Sequence, residues 1–188
     1  MLLDFSLPSP DCPHLGLAKG VVRLAEYSDA WPRLFHRERD RILEACGEFI
    51  HTIEHVGSTS VPGLIAKPVL DIMPALKSPS AGEAIVGPML ALGYEYRGEF
   101  GLPGRFLFVL RHEGENVVHC HAWPRDHSEY RRHVAFRDYL RSHPIAAAEY
   151  AALKRELAVE HADNRDAYTD AKDEFIQRID ALAAGEKK

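Results

Sequence analysis

The sequence has few cysteines and no long apolar run, and both absences restrict the classes of protein to which it can belong. Cys12, Cys46 and Cys120 are odd in number and far apart, so they form no CxxC zinc motif and are typical of a reduced cytoplasmic protein. No apolar run approaches the ~20 residues that a membrane-spanning helix needs. The N-terminus has neither the basic start nor the continuous apolar stretch of a signal peptide. We therefore expect a cytoplasmic protein with no membrane partner.

An excess of positive charge is also missing. The net charge is −5 at pH 7, so the chain as a whole gives no strong signal for binding nucleic acid, although a local basic patch is compatible with this average. Hydrophobic residues make up 46% of the 188, which is enough for one ordinary domain with a sizeable core. Residues 1–19 hold three prolines and little periodicity, so we predict a loosely packed arm there. Because no linker divides the rest of the chain, we predict a single domain at 20–188.

Hydrophobic periodicity predicts a mixed sheet of about five strands within residues 20–125. The strand-like segments read GVVRLAEY, FIHTIEHVG, AKPVLDIMPAL, YEYRG, GRFLFVLRHEG and ENVVHCHAW. Two helices are expected between them, in SDAWPRLFHRERDRILEACG and SAGEAIVGPMLALG. In the first, Asp29 is the expected N-cap and Gly47 the expected end, and the side chains predicted to face inward are Trp31, Leu34, Phe35, Ile42 and Cys46.

Residues 126–183 are predicted to form a wholly helical layer. Asp126 and Glu129 have the spacing of a capping box, and Pro144 is expected to begin the second helix of the layer. Asp163 is the expected cap of a third, whose inward face would carry Phe175, Ile179 and Leu182. The pattern as a whole predicts an α+β fold in which a mixed sheet is flanked by helices and followed by a C-terminal helical layer.

The turn in HVGSTSVPGLIAKPVLDI, residues 55–72, can be interpreted in two ways. Gly57 allows close backbone approach, while Ser58, Thr59 and Ser60 offer hydroxyl groups and free amides, a combination that binds phosphate oxygens well. The stretch lacks the GxxxxGK[ST] pattern of a Walker A loop, however. On spacing alone, an ordinary polar connection between two strands is the slightly favoured interpretation.

Asp71 lies in the middle of an apolar strand, where a carboxylate is costly unless it contacts a cation, a metal ion or several donors. Carboxylates on such strands hold metal ions in metal-assisted phosphoryl transfer. Lys67, four residues earlier, can neutralise a bound phosphate or Asp71 itself. The alternative is a purely structural ion pair between Asp71 and Lys67 or an arginine.

His119 and His121 are two residues apart on a predicted strand, so both imidazoles point to one face of the sheet. Together with Asp71 they predict a site for zinc, manganese or iron. They can instead donate to a phosphate group or act as general acid and base. The alternative is a pair of hydrogen-bonded histidines that line a polar cleft.

Basic side chains on later elements are candidates for binding an anion. Arg105 opens a strand after a glycine-containing turn, while Arg137 and Arg141 lie on one helical face. Tyr168 and Lys172 are four residues apart on a predicted helix and so share a face. The alternative for these groups is solvated surface charge. We favour that interpretation for three further residues: Lys154, Arg131 and Arg132.

Four segments, IEHVGSTSVPGLIAKPVLDI, GLPGRFLFV, VVHCHAW and HVAFRDYLRSHP, occur in the order typical of the GrpB-like family. The chain resembles that family from about residue 20 to residue 180, and the family belongs to the nucleotidyltransferase superfamily with the polymerase-beta-type fold. The resemblance aligns Gly57 and Ser58 with the Gly-Ser turn of the superfamily and Asp71 with its first carboxylate. Met73 stands where the second carboxylate is expected, and His119 and His121 stand where the third is expected.

The resemblance implies binding of a nucleotide or another phosphorylated small molecule, with a divalent metal (magnesium, manganese or zinc) and phosphoryl or nucleotidyl transfer. Asp71, His119 and His121 would then be both metal ligands and catalytic residues. An alternative is a non-catalytic nucleotide- or coenzyme A-related binding module, which the missing carboxylate at Met73 favours. By resemblance, related domains fused to dephospho-coenzyme A kinase suggest the same role. A metal-dependent hydrolase that uses the Asp-His-His cluster is a further alternative.

Overall fold

The central sheet of the protein is mixed and has five strands in the computed structural model, which describes residues 15–186. The strands are β1 (Ile50–Val56), β2 (Leu70–Leu76), β3 (Glu95–Tyr96), β4 (Phe106–His112) and β5 (Glu115–Pro124), in the spatial order β1-β2-β5-β4-β3. β2 and β5 pair in parallel, whereas the three other pairings are antiparallel. The parallel pairing places Asp71 directly beside His119.

Within the described residues, two α-helices cover the sheet from the first half of the chain and four form the C-terminal layer. The former are α1 (Ala30–Cys46) and α2 (Ala81–Ala91); the latter are α3 (Ser128–Ser142), α4 (Pro144–Glu160), α5 (Arg165–Asp170) and α6 (Asp173–Gly185). The main core joins α1 and α2 to the sheet, and a second apolar cluster joins α3, α4 and α6 to the turn after β1. The predicted α+β fold class is thus confirmed. Within the described residues, no helix has the length and apolar character needed to cross a bilayer.

The inward face of α1 is the one that the sequence predicts. Its stripe of five apolar residues, Trp31 to Cys46, is buried, and the α-helix ends just before Gly47. Asp29 does not cap the helix with its side chain. Instead, the Ser28 hydroxyl accepts a hydrogen bond from the Ala30 amide at 3.2 Å.

The N-terminal part of the chain departs from two expectations. GVVRLAEY is not a strand, because its backbone bonds to two separate segments: Ala25 pairs with Ala66, and the Val22 amide donates to Ala162. Residues 15–17 of the predicted loose arm are packed, with Leu15 and Leu17 buried. Residues 1–14 of that arm lie outside the described part of the chain.

The helical layer requires two corrections at its capping positions. His127, not Asp126, caps α3, since its imidazole accepts a hydrogen bond from the Glu129 amide at 3.3 Å. Asn164, not Asp163, caps the third helix of the layer by accepting from the Ala167 amide.

The predicted third helix of the layer is in fact two, α5 and α6. The break before Asp173 starts a new helical face, which buries Phe175, Ile179 and Ala183 at four-residue intervals. Leu182 is consequently 46% exposed, contrary to its predicted inward orientation.

Candidate functional site

A cavity of about 300 Å³ lies where the sheet meets the C-terminal helices. The turn after β1, strands β2 and β5, and helices α3 to α6 all contribute to its wall. Its polar and aromatic lining residues are Ser58, Thr59, Lys67, Asp71, His119, His121, Arg132, His133, Phe136, Tyr150, Lys154, Tyr168, Thr169 and Lys172. The cavity therefore brings together the turn, the carboxylate and the histidine pair that the sequence singles out.

The turn between β1 and β2 is a single short helical turn, Ser58–Ser60, held by its own hydroxyl groups and by α3. The Ser60 hydroxyl donates to the Gly57 carbonyl at 2.5 Å, and Arg141 donates twice to the Ser60 carbonyl at 3.0 and 2.7 Å. Gly57 has φ +68° and ψ −174°, a conformation that only glycine adopts readily. A Cβ atom at Gly57 would lie 2.4 Å from Oδ2 of Asp71, so the absence of a side chain allows the turn to approach the carboxylate.

Asp71 Oδ1 lies 3.5 Å from Nδ1 of His119 and 3.6 Å from Nε2 of His121. Both imidazoles are on the same face of β5, as the two-residue spacing predicts. Burial alone would raise the pKa of Asp71, but the two histidines outweigh burial and hold that pKa below its usual range. Burial lowers the pKa of His119 despite the opposing effect of Asp71. At neutral pH the cluster is therefore an ionised carboxylate beside a neutral imidazole at His119.

The three side chains of this cluster lie close enough together to hold a metal ion. One potential ligand atom from each of Asp71, His119 and His121 lies within 4.8 Å of the other two. Ligands bonded at about 2.1 Å in a tetrahedral site are about 3.4 Å apart, close to the two observed separations from Asp71. Two imidazoles and one carboxylate suit zinc or manganese better than magnesium, which prefers oxygen ligands.

Lys67 and Lys172 both lie close to the ring of Tyr168, whose centroid is 5.4 Å from Nζ of Lys67 and 4.4 Å from Nζ of Lys172. Within residues 15–186, neither lysine forms an ion pair with a carboxylate. Burial, together with the charge of Lys172, lowers the pKa of Lys67 to about 7. Burial lowers the pKa of Lys172 to about 8. The structure thus brings all three of these predicted ligand-binding residues to the cavity. The expected alternative, a direct Asp71–Lys67 ion pair, does not form.

Lys154 is buried in the cavity wall, so the prediction that it is a solvated surface charge is wrong. Only 2% of it is exposed; its Nζ donates to the Ser58 hydroxyl at 3.0 Å and to the Ile65 carbonyl. A sequence signal for this placement exists. Lys154 follows Tyr150 by four residues and precedes Leu157 by three, which puts all three on the inward face of α4.

Arg132 also lines the cavity, whereas the sequence predicts a surface position for it. Its guanidinium is fixed from two sides, by Glu129 at 2.9 Å and by Asp180 of α6 at 3.1 Å. His133, the next residue, was not among the predicted site residues. Burial and the neighbouring Arg132 lower the pKa of His133 to about 4, so its imidazole is neutral at physiological pH.

The arginines expected to bind an anion instead form hydrogen bonds with backbone carbonyls and side chains of the protein itself. Arg105 donates to the Glu99 carbonyl at 3.1 Å and to the Phe100 carbonyl at 2.6 Å, and its Nη1 lies 3.5 Å from Nδ1 of His121. Its guanidinium therefore contacts the back of the histidine cluster and is not part of the cavity lining.

Arg137 and Arg141 likewise do not line the cavity, because Arg137 bonds to β1 and Arg141 to the turn after it. Arg137 donates to the Glu54 carboxylate at 2.7 Å and to the His55 carbonyl at 3.0 Å, so it holds α3 against β1. Arg141 and Ser60 are bonded to each other, as described above, and neither lines the cavity. These pairings join residues more than 80 positions apart. Helical periodicity alone does not reveal them.

Replacing Arg137 with methionine should lower the free energy of unfolding by about 2 kcal/mol, because Glu54 and the His55 carbonyl lose a charged, buried donor. Urea denaturation of the variant measures this change. Arg131→Met is the matched control, since Arg131 is exposed on the same helix. Equal stability of the two variants would contradict the anchoring role of Arg137.

Met73 occupies an apolar cluster instead of adding a second carboxylate. It is fully buried beside Val56 and Trp123, and Tyr130 and Val134 of α3 cover the cluster. The turn, β2 and β5 are otherwise arranged as the resemblance implied, with Asp71 next to the later strand that carries the histidines.

Comparison with known proteins places the chain in a family. The family model described as GrpB protein matches residues 21–181. The UPF0157 protein YqkA of Bacillus subtilis is 36% identical over 90% of this chain, which spans only 49% of that protein. The glutamate-rich protein GrpB of Alkalihalophilus pseudofirmus is 31% identical, with 88% of this chain and 97% of that protein covered.

A solved structure and a longer protein add to this comparison. The crystal structure of conserved protein GrpB from Enterococcus faecalis matches with a TM-score of 0.82 and 36% identity, covering 88% of this chain and 99% of that one. A dephospho-CoA kinase of Mycolicibacterium paratuberculosis is 29% identical over 86% of this chain, which corresponds to 46% of the kinase. From the family model, the two relatives and the crystal structure together, we conclude that the chain belongs to the GrpB family.

Proposed function

We propose that the cavity binds a nucleotide or another phosphorylated small molecule. The observation that carries this proposal is the position of Lys67 and Lys172: both line the cavity, and among residues 15–186 neither has a carboxylate partner. A buried ammonium group without a counter-ion is costly, and a phosphate group supplies the missing negative charge. The hydroxyl groups of Ser58 and Thr59 line the same wall and can donate to phosphate oxygens.

The Asp71–His119–His121 cluster gives the ligand a second point of attachment in the same cavity. These three residues would hold a divalent ion, zinc or manganese by their donor set. Such an ion supplies Lewis-acid stabilisation of charge on a phosphoryl oxygen. Tyr168, which contacts both lysines, keeps their ammonium groups at the cavity wall through cation–π attraction.

Two observations favour a second candidate, a binding module that does not itself transfer nucleotidyl groups. Met73 is buried in an apolar cluster at the position where the resemblance implies a second metal-binding carboxylate. A dephospho-CoA kinase contains a segment similar to most of this chain. On this alternative the ligand is a coenzyme A-related nucleotide, and the protein senses or delivers it.

Thermal unfolding with nucleoside triphosphates, dephospho-coenzyme A and coenzyme A tests the binding proposal. A ligand present at 100 times its dissociation constant should stabilise the fold by about 2.7 kcal/mol. Lys67→Met and Lys172→Met should each weaken binding about tenfold, since each removes a charged donor. Lys77→Met is the matched control, because Lys77 bonds to the Glu48 carbonyl at the surface. Absence of stabilisation by all these compounds would overturn the proposal.

Asp71→Asn tests the metal part of the proposal separately. The amide preserves the size of the side chain but weakens its affinity for a cation, so stabilisation by added zinc or manganese should disappear. Stabilisation that survives in the variant would remove Asp71 from the metal site. A double change, His119→Ala with His121→Ala, should abolish any turnover if the histidines take part in catalysis. Undiminished turnover would leave them as cavity lining.

A further inference from the structure

The contact between Ser58 and Lys154 has the geometry of a nucleophile and its base. Lys154 Nζ lies 3.0 Å from Oγ of Ser58, within the range expected for such a pair. Both residues line the cavity, so a ligand bound there can reach the hydroxyl. The two are 96 residues apart in the chain and meet only because α4 packs against the turn after β1.

The surroundings of Lys154 orient its amine. Nζ donates to the Ile65 carbonyl and lies 4.6 Å from the ring centroid of Tyr150. Among residues 15–186, no carboxylate forms an ion pair with Lys154. The Ile65 carbonyl acts as the third group that fixes the base relative to the nucleophile.

The charges around Lys154 favour its neutral form. Lys67 comes from the loop before β2, Lys172 from the junction of α5 and α6, and Arg155 from α4 itself. Burial, followed by the charges of Lys172, Arg155 and Lys67, lowers the pKa of Lys154 to about 6. At neutral pH most molecules therefore have an amine whose lone pair is available to accept a proton from Ser58.

We propose that Ser58 is a nucleophile activated by Lys154, and that it accepts the phosphoryl group of a phosphate ester or anhydride bound in the cavity. The pair is a serine–lysine version of the nucleophile–base arrangement that recurs on unrelated folds. This inference rests on the proposed phosphate-binding function and adds a covalent step to it. Lys67 and Lys172 then hold the phosphoryl oxygens while Ser58 attacks.

The proposed phosphoryl transfer changes no oxidation state and so needs no redox partner. A bond forms between Ser58 Oγ and phosphorus, the bond from phosphorus to the leaving oxygen breaks, and the hydroxyl proton passes to Lys154 Nζ. The resulting ammonium group returns that proton to the leaving oxygen. Water or an acceptor hydroxyl then attacks the phosphorus of phosphoserine and gives its proton to Lys154. The bond from phosphorus to Ser58 Oγ breaks, and Lys154 passes the proton to Oγ, which restores Ser58.

A fluorophosphonate probe tests the nucleophile directly, because it phosphonylates a serine only where a base activates the hydroxyl. Peptide mapping of the full chain should find the label on Ser58. The label should be absent in Ser58→Ala, and in Lys154→Met its rate of formation should fall about 100-fold. Ser142→Ala, which removes an exposed hydroxyl on α3, should label at the wild-type rate.

The pH dependence of labelling needs no variant and so is unaffected by misfolding. The wild-type rate should rise as the pH increases through about 6, where Lys154 loses its proton, and then level off. A label on another residue, or a rate that does not change over this range, would overturn the nucleophile proposal. So would an unchanged rate in a folded Lys154→Met variant.

Ligand binding separates this proposal from the one on which it rests. If nucleotides stabilise the protein but Ser58 stays unlabelled, the nucleophile is overturned and phosphate binding stands. If Ser58 is labelled but no phosphorylated compound stabilises the protein, the activated serine stands and its assignment to phosphoryl transfer is overturned.

Discussion

Replacing Gly57 with alanine should lower the free energy of unfolding by about 3 kcal/mol and remove the stabilisation by zinc that we propose for the Asp71 site. Two costs combine at this position. The backbone has φ +68° and ψ −174°, which strains any residue with a side chain. The new methyl group would also lie 2.4 Å from Oδ2 of Asp71, so the carboxylate must move away from the turn. Chemical denaturation measures the first effect, and thermal unfolding with and without zinc measures the second.

Gly63→Ala is the matched control for backbone strain. Gly63 also has a positive φ, +76°, but a Cβ atom there would meet no atom within 4 Å. We expect it to cost about 1 kcal/mol from strain alone and to leave the metal effect intact. The excess cost of Gly57→Ala then measures the contact with Asp71. Equal costs for the two variants would show that this contact does not constrain the site.

The side of the cavity that carries Asp71, His119 and His121 could be predicted from the sequence because its features are local. Strand periodicity alone places His119 and His121 on one face, and an apolar strand interrupted by Asp71 predicts a carboxylate that needs a partner. The pairing of β2 with β5 then completes the cluster. The tight approach of Gly57 to Asp71, in contrast, depends on a tertiary distance that no sequence spacing encodes.

The cationic side could be predicted only in part. Lys67 and Lys172 are at the cavity as expected, but Arg137 and Arg141 bond to β1 and to the turn. Arginine suits both tasks, since its guanidinium fork matches a carboxylate or a phosphate and its N–H groups can also donate to backbone carbonyls. The sequence predicts a surface position for Lys154, because lysine is usually exposed. Its position on the face of α4 that carries Tyr150 is the stronger signal.

His55 makes the stability of the fold sensitive to acid. Its ring is buried, stacks on Phe35 with centroids 4.8 Å apart, and its Nε2 is 3.0 Å from the Thr59 hydroxyl. Burial lowers the pKa of His55 to about 3, with Arg141 and Arg137 contributing and Asp71 opposing. In the unfolded chain a histidine has a pKa of about 6.5. Below that value the unfolded state binds a proton that the folded state does not, so stability is lost as the pH falls.

Lowering the pH from 7.5 to 4 should therefore cost about 3 kcal/mol through His55 alone. Urea denaturation at several pH values measures this, with His55→Phe as the variant because phenylalanine preserves the ring stack. Between pH 4 and 6 the stability of wild type should fall more steeply than that of His55→Phe, by about 1.4 kcal/mol per pH unit. Thr59→Val is the control: it removes the hydroxyl partner but not the titrating ring, so its slope should match wild type. Parallel curves for wild type and His55→Phe would mean that His55 is protonated in the folded state, and the turn would then have to accommodate a buried cation.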